Sequence, residues 1–209
     1  MKVLLLNGSP HKNGCTHTAL SIIANQLEKN GVESEIVHIA AKPVRGCSGC
    51  GTCKKDDKKR CVFLDGGVNE VIDKLESADA LIVGSPVYYA SPNGTVLSFL
   101  DRMFCAGSSY LANKPAAAVV SARRAGTTAT LDAINKYFTI NRMPVVSSNY
   151  WNMVHGSCAE EVLKDEEGVQ IMRVLADQMA WLLKCIEAGK QAGINAPEAE
   201  AKVTTSFIR

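Results

Sequence analysis

The chain has 209 residues, 46% hydrophobic and 21% charged, with a formal net charge of +2, so one domain with a sizeable core is expected and a polyanionic partner is not. Nucleic acid is excluded because Asp56 and Asp57 interrupt the one basic cluster, Lys54, Lys55, Lys58, Lys59 and Arg60. No apolar run approaches a membrane span and no leader precedes the first strand, so no membrane partner and a cytoplasmic location are expected; eight cysteines in such a chain point to thiol or metal chemistry rather than disulfides.

Lys2 to Leu6 is a short apolar run, and the loop Asn7-Gly8-Ser9-Pro10-His11-Lys12-Asn13-Gly14-Cys15 follows at once. From Thr16 the apolar positions Ala19, Leu20, Ile22, Ile23 and Leu27 take helical spacing, closing at Asn30-Gly31. The pattern predicts a buried strand, a loop of phosphate size and a helix beginning near Thr16. A helix start offers unpaired backbone N–H groups and the positive end of its dipole to an anion. Hydroxyls at Ser9, Thr16 and Thr18 add donors, and Gly8 and Gly14 let the backbone approach closely. A bound phosphate is therefore expected here. The loop is not a P-loop, because five residues separate Gly8 from Gly14 and Cys15 follows; nor does it hold Gly-x-Gly-x-x-Gly. Asn7 stands where a response regulator of similar topology carries acids.

Glu35 to Ile39 reads as a second strand, and residues 42 to 66, which hold four cysteines, as a long loop. Val68, Val71, Ile72 and Leu75 space a helix with Asp65 as its cap. Ala80 to Val83 is a third strand, apolar throughout and so buried on both faces. Gly84 to Pro92 is its exit loop, and a helix follows from Gly94 to Phe104. Pro115 to Val120 makes a fourth strand with the exit loop Ser121 to Thr128. Leu131, Ile134, Asn135 and Phe138 space another helix, and Val145 to Ser148 reads as a short fifth strand. A last helix is predicted from Asp165 to Ala188, ending at Gly189. Residues 1–190 are thus expected to form one domain with a cysteine-rich loop at 45–62, and residues 191–209 a C-terminal tail.

Five apolar strands alternating with helices imply a doubly wound parallel α/β sheet of order 2-1-3-4-5, in three α/β/α layers. Ligands on such sheets bind beyond the carboxyl ends of the strands, where the strand order reverses. The exits of strands 1, 3 and 4 share that rim. One ligand touching all three would place a phosphate at the first loop and a flat ring between the others, which describes FMN. Pro86, Val87, Tyr88 and Tyr89 offer backbone donors and aromatic faces to the ring. Ser121, Ala122, Arg123, Arg124 and Gly126 offer amides and positive charge. Core packing of the tyrosines and a solvated arginine pair are the plainer alternatives.

Taken together, Asn7-Gly8-Ser9-Pro10, Cys47-x-x-Cys50-x-x-Cys53, Asp79-Ala80, Ser85-Pro86-Val87-Tyr88, Asp101-Arg102 and Ser121-Ala122-Arg123-Arg124 resemble the NADPH-dependent FMN reductase group of flavodoxin-like proteins. Met143 to Trp151 extends the likeness, within that group, towards the iron–sulfur flavoproteins. The resemblance implies an FMN phosphate held by Ser9, His11, Cys15, Thr16 and Thr18. It also implies ring contacts from Pro86–Tyr89 and Ser121–Gly126. Many relatives carry Arg where this chain has His11, so the charge offered to the phosphate depends here on His11 and Lys12.

Cys47, Cys50, Cys53 and Cys61 follow the pattern Cys-x2-Cys-x2-Cys-x7-Cys, from which four thiolates on an irregular loop can converge on a cubane. The resemblance implies a [4Fe–4S] cluster; by spacing alone, zinc and metal-free thiols stay open. Cys15, Cys105, Cys158 and Cys185 read as structural, and His17, His38 and His155 as structural or surface residues. The expected function is an FMN-dependent NAD(P)H oxidoreductase that reduces a quinone, a flavin or a similar small acceptor. A flavin and iron–sulfur carrier reduced by ferredoxin is the alternative, and a non-enzymatic metal-binding or redox-sensing module that of another class. A homodimer or homotetramer is expected, because Trp151, Met153, Met179, Trp181 and Leu182 exceed the apolar surface one sheet face needs.

Overall fold

A computed structural model describes residues 1–55, 57 and 59–207; Asp56 and Lys58 of the basic cluster and the last two residues of the tail lie outside the described residues. In chain order the elements are β1 (Lys2–Asn7), α1 (Cys15–Lys29), β2 (Glu33–His38), α2 (Thr52–Lys55), a 3-10 turn (Asp65–Gly67), α3 (Val68–Ser77), β3 (Ala80–Tyr88) and β4 (Ser91–Pro92). There follow α4 (Gly94–Gly107), a second 3-10 turn (Ser108–Tyr110), β5 (Ala116–Ala122), α5 (Thr127–Ile140), β6 (Met153–His155), α6 (Ala159–Val162) and α7 (Glu166–Gln191). The main strands lie parallel in the order β2-β1-β3-β5-β6, which is the predicted order, and β4 pairs antiparallel with β3.

Alternation along each strand feeds two cores. Leu4, Leu6, Leu81 and Val83 face α3, α4 and α5, whereas Val3, Leu5, Ile82 and Val119 face α1 and α7. Every one of these side chains is essentially solvent-free, and each stabilises the fold by roughly 1.5–3 kcal/mol. Burial on both faces is what makes these strands continuous apolar runs.

Five local expectations are corrected. The third strand does not end at Val83: it runs to Tyr88 and turns back through Tyr89 and Ala90, both at positive φ (51° and 56°), to pair with Ser91-Pro92. Two consecutive left-handed residues make a tight hairpin turn normally marked by Asn-Gly, a signal absent here. The fifth strand is displaced. Val145 and Val146 make one bridge to Ala116, the chain then leaves the sheet, and Met153–His155 resumes pairing with Val120–Ala122. An edge strand answers only one neighbour, so its ladder tolerates that break. Asp65 does not cap α3; its carboxylate accepts from the Arg45 N–H at 3.2 Å and from Arg102 at 3.1 Å. The last helix passes Gly189 to Gln191, and the left-handed residue beyond it is Gly193. Met153 and Met179, expected at an apolar surface, are core residues.

Candidate functional site

The loop after β1 is shaped by its own side chains. The buried Asn7 amide accepts from the Ser9 N–H at 3.1 Å and donates to the Lys12 carbonyl at 3.0 Å. The Ser9 hydroxyl oxygen accepts from the His11 N–H at 3.1 Å, and the His38 ring donates through Nε2 to the Ser9 carbonyl at 2.7 Å. Gly8 is required by packing, because a Cβ there would lie 2.2 Å from Val96 and 2.6 Å from the Gly84 carbonyl. At the start of α1, Gly14 caps without a side-chain hydrogen bond, and no acid occupies the first turn. The helix therefore opens with free donors and no competing negative charge, as an anion requires. His11 and Lys12 are exposed beside it.

Two hydroxyls predicted to face this anion have partners of their own. Thr16 is buried, and its hydroxyl shares a 2.8 Å hydrogen bond with Ser121, joining the β1 exit to the β5 exit. Thr18 donates to the Gly14 carbonyl at 3.2 Å. Cys15 donates to the Gly156 carbonyl at 3.4 Å, and burial pushes its thiol up from its ordinary pKa.

The β3 and β5 exits meet at Gly126. Its φ is 91°, and a Cβ there would come within 2.6 Å of Ala90 Cα and 2.9 Å of Val87, so the β5 loop seats on the hairpin tip. Pro86 and Val87 are half-buried, Tyr88 is exposed, and Tyr89 is fully exposed. Neither tyrosine is core, which removes the packing alternative. Ser121 and Ala122 are buried, and Arg123 and Arg124 reach solvent from the same loop. The structure thus gathers all fourteen predicted rim residues onto three adjacent strand exits. Exposed Tyr88, Tyr89, Arg123 and Arg124 and the uncapped start of α1 thus share one end of the sheet.

The cysteine loop makes a second feature. Cys47, Cys50, Cys53 and Cys61 line one cavity of about 120 Å³, together with Phe63, Arg102 and Cys105. Among the described residues no three ligand-type side chains have closed to metal-binding distance. The donor chemistry fits a thiolate-ligated centre. Burial, and then the neighbouring Cys61, Cys47 and Cys50, hold the Cys53 thiol up, and burial and Cys47 push Cys105 up to about 11. Thiolates crowded this way repel one another, and a cation among them relieves the repulsion. Cys50 is held down by its hydrogen bonds with Thr52.

Cys105 and Arg102 were not read from sequence as part of this site. They stand three residues apart on one side of α4, where a cation amid Phe99, Leu100 and Met103 is the signal that a buried partner waits. They also place the cavity below the rim. Arg102 and Cys105 lie eight and eleven residues past Gly94, roughly 12–16 Å down the helix axis from its rim end.

A model of the NADPH-dependent FMN reductase family matches residues 1–157. An iron–sulfur flavoprotein of Methanocaldococcus jannaschii is 31% identical over 195 residues, covering 90% of this chain and 100% of the relative. Among solved structures, RosB with bound 8-demethyl-8-formylriboflavin-5′-phosphate superposes with a TM-score of 0.71 at 16% identity, covering 100% of this chain and 94% of that one. A flavodoxin from the domain Archaea gives 0.60 at 17% identity, covering 88% and 99%. Sheet order and these likenesses make the fold flavodoxin-like.

Proposed function

The chain belongs to the NADPH-dependent FMN reductase family and is an oxidoreductase, and from that premise we propose that it binds FMN at the rim and uses NAD(P)H to reduce a small acceptor such as a quinone or a flavin. The observation that carries this is convergence. The Thr16–Ser121 hydroxyl pair, 105 residues apart in sequence, and the seating of Gly126 on Ala90 tie the three strand exits to one another.

The N–H groups at the start of α1 bind the phosphate, with Ser9 and the side chains of His11 and Lys12 beside it. Pro86 to Tyr89 and Ser121 to Gly126 hold the two sides of the ring. Arg123 and Arg124 favour its electron-rich form by their charge. Bound there, FMN supplies the exchange of electrons between nicotinamide and acceptor. Transfer of this kind needs positioning more than a protein acid or base, so the lack of a carboxylate pair at the rim is no obstacle. Fluorescence titration should give FMN at least about tenfold tighter binding than riboflavin, roughly 1.4 kcal/mol for the phosphate. Equal affinities would remove the first loop as the phosphate site.

The cysteine cavity favours a second reading of the electron source. Cys47, Cys50, Cys53 and Cys61 would hold a [4Fe–4S] cluster, which supplies single electrons when bound. The chain would then be a carrier fed by ferredoxin. Rapid anaerobic reduction by NADPH separates the two, because the carrier would be reduced by ferredoxin and not by nicotinamide. In either case residues 1–190 act as one flavin-binding domain and 191–209 as a tail, in a homodimer or homotetramer.

A further inference from the structure

Arg102 is the one charged residue that is buried among the described residues, with its side chain solvent-free. A buried guanidinium is costly unless all sides are answered, so its partners reveal what it is for. They all belong to the cysteine segment. One terminal nitrogen donates to the Arg45 carbonyl at 3.4 Å and to Asp65 Oδ2 at 3.1 Å. The other donates to the Phe63 carbonyl at 2.6 Å. Nε donates to Cys61 Sγ at 3.3 Å, and the Phe63 ring lies 5.7 Å from the guanidinium centre.

One rigid side chain on α4 therefore clasps residue 45 and residues 61 to 65, the two ends of the segment that carries Cys47, Cys50, Cys53 and Cys61. Closing a loop of that length costs conformational entropy, and a pre-closed loop spares a ligand that cost. The N–H···S contact does something further. A charged donor on a thiolate withdraws electron density from it, which favours the more negative, reduced form of a sulfur-ligated centre.

We infer that Arg102 is the positioning residue of the thiol site: it closes the cysteine loop into a cradle and, through its bond to Cys61, raises the reduction potential of the centre held there. This rests on reading the four thiols as ligands. A residue that merely satisfies loop carbonyls would alter how much metal is retained but not the potential of the centres that form.

The test uses the full chain prepared anaerobically with iron and sulfide, as wild type, Arg102→Lys and Arg102→Gln. Iron, sulfide and flavin are counted, and the cluster is titrated potentiometrically by paramagnetic resonance. Wild type should carry about four iron atoms per chain, the content of a cubane. Arg102→Lys keeps the charge and loses the fork. It should retain cluster but shift the reduced-to-oxidised ratio at fixed poise about tenfold towards oxidised, some 59 mV for one electron. Arg102→Gln should lose at least half of its iron, with flavin content unchanged as the sign of a folded chain; if it does not fold, the lysine variant decides alone.

Wild type with flavin but no iron overturns the ligand reading and this inference with it. Full iron in wild type, with an unmoved potential in Arg102→Lys, overturns the inference and leaves the ligand reading standing. An Arg102→Gln that keeps both its flavin and its full iron overturns the closure.

Discussion

Tyr89 stands in a left-handed conformation with its ring entirely in solvent, so nothing packed against it offsets the backbone cost of about 1–2 kcal/mol. Strain without local compensation collects at binding sites, and here it lies on the hairpin at the β3 exit. Tyr89→Gly should therefore raise stability by up to about 1 kcal/mol in urea denaturation, after glycine's extra chain entropy is deducted. The same change should weaken FMN binding, because an aromatic face is lost. A glycine variant no more stable than wild type would mean that the turn is unstrained. Asn7 teaches the complementary point. Its identity served only as one residue of a motif and as a mark against a response regulator, yet its amide hydrogen-bonds residues 9 and 12 and so sets the shape of the loop after β1.

At the scale of elements, one carboxylate ties the edge of the sheet to a helix. Glu35 of β2 accepts from Lys2 of β1 at 2.8 Å and from Lys74 of α3. Those hydrogen bonds, Lys2 first, hold its pKa below the ordinary 4.5. A carboxylate with a depressed folded pKa contributes stability that is present above its unfolded pKa and lost as the pH falls through the folded one. Glu35→Gln should accordingly lower the thermal midpoint at pH 7 by a small margin, since the pair is partly exposed and screened. The gap to wild type should narrow as the pH drops below about 4.5, and also in high salt. A gap that stays constant across that range would assign the effect to packing. The five long helices were legible from apolar spacing, whereas the four-residue α2 and α6 were not. The hairpin and the broken edge strand were not, because both depend on which strand lies alongside.

For the whole molecule, the apolar surface left outside the two cores suggests self-association. Trp151 stacks edge-on against Tyr150 with ring centroids 4.9 Å apart, and both are more than half exposed; Trp181 on α7 is exposed as well. Large aromatics left in solvent near an edge strand are what an interface between copies would cover. Light scattering at micromolar concentration should return at least twice the chain mass of 22.4 kDa. A monomer would leave those rings without an explanation.

The sequence by itself determined the parallel sheet and its order, the three exits that form the rim, and four cysteines sharing one loop. Each of these follows from runs, spacing and turns read over a few neighbouring residues, and burial on both faces of a sheet writes them plainly. Only the tertiary structure decided that Thr16 meets Ser121, that Cys105 joins the thiol cavity away from the rim, and that Arg102 reaches Cys61 across 41 residues. The physical reason is that a buried charge or hydroxyl must find a partner wherever the fold supplies one, and no local pattern says where that will be.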